Sequence, residues 1–251
     1  TQCLRGNNTQ FISTGTSASS GASSISSYSW DFDLNNSPKT ANPNSSTSNS
    51  TSISVIYQSV GTKNARLIIK DNNGCYDTAL QSVEILEHPT AKWVTTDDRQ
   101  CLNDNSFTFN TTGSSSSTSS SLKNYSWTFG NNASPANTTS TNNSISGVTY
   151  SNYGVKNIRL VVLDINGCTD TFTNTVEVYD NPISRIVTPI NIQCNVGHTF
   201  DFIATTSTAG NGQKISGYKW NFGSGSNSNS TITDTVTNVT FSSTGKKTIL
   251  L

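Results

Sequence analysis

The chain has 251 residues, of which 32% are hydrophobic and only 12% are charged. Its 15 basic and 15 acidic residues cancel, so it lacks the positive field that draws proteins to nucleic acids and anionic membranes. No stretch reaches the roughly 18 apolar residues of a membrane-spanning helix. Low hydrophobicity without high net charge is not typical of disordered chains, and we expect folded units with polar surfaces.

An aromatic motif, Tyr-x-Trp-x-Phe, occurs three times along the chain. Its copies are offset by 97 and then 93 residues, which is close to the length of an immunoglobulin-sized sandwich of about 100 residues. Alternate residues of a strand share one face. We therefore expect the motif to fill a core, rather than to form a platform that stacks on sugars. Its copies are Tyr28, Trp30 and Phe32; Tyr125, Trp127 and Phe129; and Tyr218, Trp220 and Phe222.

The segments around the motif predict short strands. Before it, residues 107–109 alternate between apolar and polar side chains, and after it the pattern of residues 57–71 recurs at 150–164. Each of these long strands is followed by Asn-Gly, a strong hairpin signal, and then by a final strand at 83–86 or 176–179. The fold class predicted for every unit is all-β.

Three units of this kind divide the chain at residues 1–88, 89–181 and 182–251. The first lacks its first strand and the third stops before its last hairpin, so we expect the polypeptide to extend in both directions. The linkers at Pro89 and Pro182 are short. Because proline stiffens a short connection, we expect the units to be restrained end to end.

The five cysteines follow the same repeat. Cys3 and Cys75 belong to the first unit, Cys101 and Cys168 to the second, and Cys194 opens the third. Their isolated positions do not suit zinc, which needs clustered ligands. We predict a disulfide within each unit, closing a loop of about 70 residues and stabilising it by about 4 kcal/mol, with Cys194 paired beyond the end of the chain. Disulfides also predict an extracytoplasmic location.

The aromatic strand, a later Tyr or Phe before a Gly-led strand, and the Asp-x-Asn-Gly-Cys-x-Asp-Thr turn together resemble the polycystic-kidney-disease (PKD) repeat. The cysteine-bearing form is similar to arrays in large surface and secreted proteins of Bacteroidetes-type bacteria, many of them adhesins. The resemblance implies tandem Ig-like sandwiches arranged end to end and displayed outside the cell. It implies no chemistry, because a fold alone does not define a function.

The same resemblance suggests sites of O-glycosylation. The segments 77–79 and 234–236 resemble the Asp-Ser/Thr-apolar sites of that bacterial group, which would place sugars on Thr78 and Thr235 in exposed turns. Threonine is also an ordinary strand former, and this alternative stays open.

Two kinds of reactive site were considered. Oxygen-bearing side chains near the hairpins are candidates for calcium, but no Glu closes the loop as in an EF-hand, and we expect no cofactor. The two histidines, His88 and His198, lie in different units without the partners of a catalytic triad, and we expect no enzyme. The calcium candidates are Asp71, Asn73, Asp77, Asp164, Asn166 and Asp170.

These observations lead to three functional hypotheses. The first is a non-enzymatic stalk or adhesive fibre of a large cell-surface adhesin, involved in gliding or attachment. The second is a set of spacer or carbohydrate-binding modules of a secreted polysaccharide- or protein-degrading enzyme, and the third is a subunit of a surface filament or sheath. The expected partners are other repeats of a longer chain and surface glycans or proteins, with no nucleic acid and no membrane insertion.

Overall fold

A computed structural model describes residues 1–22, 24–36, 39–47, 51–118, 120–210, 213–228 and 232–251. These residues form strands and turns, and none lies in a helix long and apolar enough to span a membrane. The all-β fold class is confirmed.

The first unit contains a five-stranded sheet in the order β1-β8-β7-β3-β5 and a three-stranded sheet in the order β2-β6-β4. The long hairpin of β7 and β8 is antiparallel, whereas β1 runs parallel to β8. The strands are β1 (Gln2–Cys3), β2 (Thr9–Ile12), β3 (Ile25–Asp31), β4 (Ala41–Asn42), β5 (Ser45–Ser46), β6 (Ser52–Tyr57), β7 (Gly61–Asp71) and β8 (Tyr76–Leu86).

The second unit repeats this arrangement. Its five-stranded sheet has the order β10-β17-β16-β12-β14, and its four-stranded sheet has the order β13-β15-β11-β9. The strands are β9 (Val94–Thr95), β10 (Arg99–Cys101), β11 (Phe107–Asn110), β12 (Leu122–Thr128), β13 (Ala133–Ser134), β14 (Asn137–Ser140), β15 (Ser144–Tyr150), β16 (Gly154–Asp164) and β17 (Thr169–Tyr179).

The third unit keeps the same register with less regular structure. Its described residues include the antiparallel pair β18 (Phe200–Ile203) and β19 (Thr235–Val239). A bridge between Asn221 and Leu250 matches the pairing of Thr128 with Arg159 in the second unit. The chain therefore reaches the central strand of the larger sheet in the expected register.

Each unit has its own core, built on the aromatic motif. The Trp and Phe of every copy are buried, and the Tyr is partly buried against the same cluster. In the second unit Trp127 stacks on Phe129 with 5.7 Å between ring centroids. Trp93 also lies in this core, with its ring edge against Phe109. The Trp and Phe rings of the motif are therefore core side chains and do not form a surface platform for a sugar.

A buried asparagine links the start of each of the first two units to a later tyrosine. Asn105 accepts a hydrogen bond from the Tyr150 N–H at 2.7 Å and donates to the carbonyls of Leu102 and Tyr150. Asn7 makes the same three bonds to Tyr57 and Leu4. The amide is well suited to this position because it can accept from one backbone group and donate to others.

In the third unit a histidine takes the place of this asparagine. His198 stands four residues after Cys194, as Asn105 does after Cys101. Its Nε2 lies 2.8 Å from the Phe241 N–H and its Nδ1 lies 2.8 Å from the Asn195 carbonyl. With the proton on Nδ1, the ring accepts from one strand and donates to the neighbouring loop, so His198 is a structural residue.

We expect His198→Ala to destabilise the third unit by about 1–3 kcal/mol, because the Phe241 N–H and the Asn195 carbonyl lose their partner. His198→Asn restores the arrangement of the other units and should stay within about 0.5 kcal/mol of the parent. Hydrogen exchange at the Phe241 amide measures both effects. Equal protection in all three proteins would show that the ring makes no such contribution.

Candidate functional site at the junction of the first two units

A disulfide bond joins the first unit to the second. Cys3 is bonded to Cys168 across a sequence separation of 165 residues, with 5.6 Å between their Cα atoms. Cys3 lies at the end of β1 beside Leu86, the last residue of β8. Cys168 is fully buried in the turn between β16 and β17. The last hairpin of the second unit is thus covalently attached to the end of the first.

The predicted pairing within each unit is wrong for the first two units. Cys75 and Cys101 are free and exposed, as is Cys194. Cys75 directly precedes β8, whereas Cys3 pairs with its last residue, so the 11 residues of β8 separate the two thiols. At about 3.4 Å per residue this is on the order of 35 Å, far beyond the roughly 7 Å limit on the Cα separation of a disulfide.

An ion pair accompanies the bond between the units. Arg5 Nη1 lies 2.8 Å from Asp170 Oδ1, and the other oxygen of Asp170 accepts the backbone N–H of Ala91 at 2.9 Å. Arg5 is 64% exposed, and pairs with such an exposed partner contribute at most about 1 kcal/mol. We therefore infer that the ion pair helps to orient the two units, whereas the disulfide contributes most of the stability of the junction.

The pKa of Asp170 reflects these contacts. Burial alone would raise it, but hydrogen bonds from Ala91 and Arg5, together with the positive charge of Arg5, hold the pKa below its ordinary value. Asp170 is therefore ionised at neutral pH and can serve as the acceptor that the junction requires.

The hairpin that carries Cys168 is held in shape by a buried carboxylate. Asp164 Oδ1 accepts the N–H groups of Asn166 and Cys168 at 3.0 and 2.8 Å, and its Oδ2 accepts the Ser117 hydroxyl at 3.2 Å. Gly167 occupies a left-handed conformation with φ of 88°, which glycine adopts without strain. The turn therefore presents Cys168 in a defined position.

Asp71 plays the same part in the first unit. A hydrogen bond from the Ser19 hydroxyl, with further bonds from the N–H groups of Cys75, Ser19 and Asn73, holds its pKa below the ordinary value. These carboxylates close turns in the structure. Asp77 instead bonds the adjacent Thr78 N–H, and among the described residues no group of His, Cys, Asp and Glu is arranged as a metal site.

The remaining candidate residues from the sequence, His88, Thr78 and Thr235, take no part in the disulfide or the ion pair between the units. His88 lies in the linker between the first two units, with Nδ1 3.0 Å from the Pro89 carbonyl. Thr78 is exposed within β8 and Thr235 begins β19. Both threonines lie in strands, so the expectation that they lie in turns is wrong. Their modification stays a prediction.

Residues 86–179, which include the whole second core, match the family model described as the PKD domain. The second unit is similar to PKD domains. The matched range begins at the last residue of β8 and ends at the last residue of β17. The units on either side share the register of the matched unit, as the bonds of Asn7 and the bridge at Asn221 show. No curated protein matches the sequence.

Several solved structures are similar to the chain at low identity. Fibronectin(III)-like modules of Clostridium thermocellum CbhA are 10% identical with a TM-score of 0.33, over 71% of this chain and 88% of theirs. Invasin, a bacterial integrin-binding protein, is 15% identical with a TM-score of 0.28, over 97% and 56%. A Ca2+-stabilized ice-binding adhesin of an Antarctic bacterium is 12% identical with a TM-score of 0.33, over 88% and 58%. Similarities this weak assign no function to this chain.

The sequence does not predict the contacts that build the junction, although Cys3, Cys168 and Asp170 are among its candidate residues for other roles. Arg5 and Asp170 are 165 residues apart, and no local pattern links them. For the buried asparagine a signal exists, since Asn7, Asn105 and His198 each stand four residues after a cysteine of the repeat. The change from amide to imidazole in the third copy hides it.

Proposed function

We propose that this chain is a segment of an extracellular, non-enzymatic repeat protein in which PKD-type units, joined by disulfides between neighbours, form a stalk or adhesive fibre. The Cys3–Cys168 bond is the observation that carries the proposal. A disulfide within a unit would stabilise that unit alone, whereas this one restrains the orientation of two units. Stable disulfides also favour a location outside the cytoplasm.

The linker between the first two units supports the same function. Thr90 exchanges two backbone hydrogen bonds with Ser115, at 2.8 and 3.0 Å, and the Glu87 carboxylate accepts the Thr118 hydroxyl at 3.3 Å. The residues between the units are thus tied to the second unit, and a short connection of this kind does not behave as a free coil. A restrained junction favours a stalk, because a stalk has to keep the part that it carries at a distance from its base.

Small-angle X-ray scattering of the oxidised chain and of Cys3→Ser tests the stalk. We expect the substitution to broaden the distribution of distances between the first two units, because it removes their covalent link. Cys75→Ser is the matched control, since it removes an exposed free thiol, and should leave the scattering unchanged. Identical curves for all three proteins would contradict a restraining role for the bond.

A glycan array separates the stalk from the carbohydrate-binding hypothesis. A spacer is expected to bind no polysaccharide, because its aromatic motif is buried. Specific binding to one polysaccharide would contradict a pure spacer and favour either carbohydrate-binding modules of a secreted enzyme or an adhesive fibre that binds glycans.

A further inference from the structure

Cys101 occupies, at the second junction, the position that Cys3 occupies at the first. In the parallel ladders Cys101 pairs with Tyr179 as Cys3 pairs with Leu86. The next backbone N–H is held in the same way, by a bond of 2.8 Å to the Tyr179 carbonyl and of 2.7 Å to the Leu86 carbonyl. Cys3 is bonded to a hairpin cysteine, whereas Cys101 is a free, exposed thiol.

A cavity of about 700 Å³ lies beside Cys101, between the second and third units. The second unit contributes Cys101 and Tyr179 to its wall, and the third unit contributes Gly210, Lys214 and Tyr218. Gly210, Lys214 and Tyr218 each stand 93 positions after a residue of the second unit. The contacts of those counterparts indicate what the wall of the cavity can bind.

In the second unit the equivalent residues hold the cysteine hairpin. Ser117, the counterpart of Gly210, donates to the buried carboxylate of Asp164. The carbonyl of Ser121, the counterpart of Lys214, accepts the Ile165 N–H at 3.0 Å. Tyr125, the counterpart of Tyr218, pairs with β16. The wall of the cavity therefore corresponds in position to the surface that holds the Asp164 turn in the second unit, although Gly210 lacks the hydroxyl of Ser117.

A second cavity, of about 570 Å³, lies on the other side of the third unit. It is lined by Gln193, Cys194, Phe202 and Ile249. In the second unit the counterparts of Gln193 and Cys194 belong to β10, which pairs with β17, the strand that follows the cysteine turn. The two cavities thus lie where the turn and the following strand of one hairpin belong.

We propose that the cavity beside Cys101 binds a hairpin turn of the Asp-x-Asn-Gly-Cys type, packed on the third unit as the turn of Asp164 and Cys168 packs on the second, and that Cys101 forms a disulfide with the cysteine of this turn. This inference rests on the proposed function, in which disulfides join neighbouring units. Each junction then carries the same bond, from the first cysteine of one unit to the hairpin cysteine of the next. Within the repeat, Cys194 occupies the position of Cys3 and Cys101, and Cys75 occupies the position of Cys168.

The bond forms by oxidation of two thiols. The sulfurs of Cys101 and of the hairpin cysteine form the S–S bond and lose two electrons and two protons. A disulfide oxidant of the extracytoplasmic space, such as oxidised glutathione, accepts them and becomes two thiols.

The test extends the full chain by its own hairpin. Leu251 stands 91 residues after Leu160, so a copy of residues 161–179 appended after Leu251 continues the third unit in register. After refolding in a glutathione buffer and alkylation of free thiols, non-reducing peptide mapping should show the appended cysteine joined to Cys101. A bond to Cys194 or an alkylated appended cysteine would overturn the proposal.

Two matched versions of the extended chain serve as controls. One control carries serine in place of the appended cysteine. Hydrogen-exchange protection of residues 218–221 in this variant shows whether the added hairpin folds onto the third unit. The other carries Cys101→Ser and should leave the appended cysteine free. Unchanged cross-linking in the second control would also contradict the proposal.

A measurement on the unextended chain covers the case in which the extension does not fold. A peptide of residues 161–170 with its cysteine activated as a thiopyridyl disulfide is mixed with the chain, and the rates of exchange at Cys75, Cys101 and Cys194 are compared. Relative to activated glutathione, we expect the peptide to favour Cys101 by about tenfold, since docking raises the effective concentration of its disulfide. The same ratios with both reagents would overturn the proposal.

Discussion

Cys3→Ser should add about 560 Å to the extension of the chain when it is pulled from its two ends. The disulfide otherwise shields the 165 residues from Cys3 to Cys168 from the applied force, and an extended chain spans about 3.4 Å per residue. In the oxidised parent, force passes through the bond, so the residues between Cys3 and Cys168 cannot lengthen however far the first two units unfold. Single-molecule force spectroscopy measures this extension directly.

The size of the gain identifies the partner of Cys3. Cys75 lies 72 residues after Cys3, so a bond between these two would shield only about 245 Å of extended chain. Cys75→Ser is the matched control and should leave the extension unchanged. A gain near the smaller value in Cys3→Ser, or any gain in Cys75→Ser, would contradict the junction bond.

Trp127→Ala should destabilise the second unit by about 3–5 kcal/mol, the usual cost of truncating a buried large aromatic side chain. Trp127 is 1% exposed and lies 5.8 Å from the Phe109 ring and 5.7 Å from the Phe129 ring. Because single domains are stable by only about 5–15 kcal/mol, this one change removes a large share of the stability of the second unit.

Thr128→Ala is the control for this change, since Thr128 is exposed on the neighbouring position of the same strand. We expect it to stay within about 0.5 kcal/mol of the parent. Hydrogen exchange of the β16 amides gives the free energy of opening for the second unit in each protein. A small effect of Trp127→Ala would mean that the motif is not a core element.

The local features of the fold were predictable because short-range patterns encode them. Period-two alternation identified the strand of Trp127, and Asn166-Gly167 identified the hairpin between β16 and β17, which is present at that position. The predicted final strand is too short. β17 runs over 11 residues from Thr169, and polar residues predominate in its first half, where Phe172 is the one large apolar side chain, so the apolar alternation is weak there.

The disulfide partner was not predictable because it depends on long-range register. Nothing in residues 1–12 indicates that β1 runs parallel to β8 and places Cys3 at its far end. Once that pairing is known, the length of β8 excludes Cys75 and leaves the hairpin of the neighbouring unit as the partner. The contact between Arg5 and Asp170 depends on the same arrangement.

Peptide mapping of the oxidised 251-residue chain tests most directly whether the disulfide crosses the junction between the first two units. Free thiols are alkylated before digestion, and the digest is analysed by mass spectrometry without reduction. The structure predicts a cross-linked peptide that contains Cys3 and Cys168, with alkylated Cys75, Cys101 and Cys194. Cross-links of Cys3 to Cys75 and of Cys101 to Cys168 would contradict it.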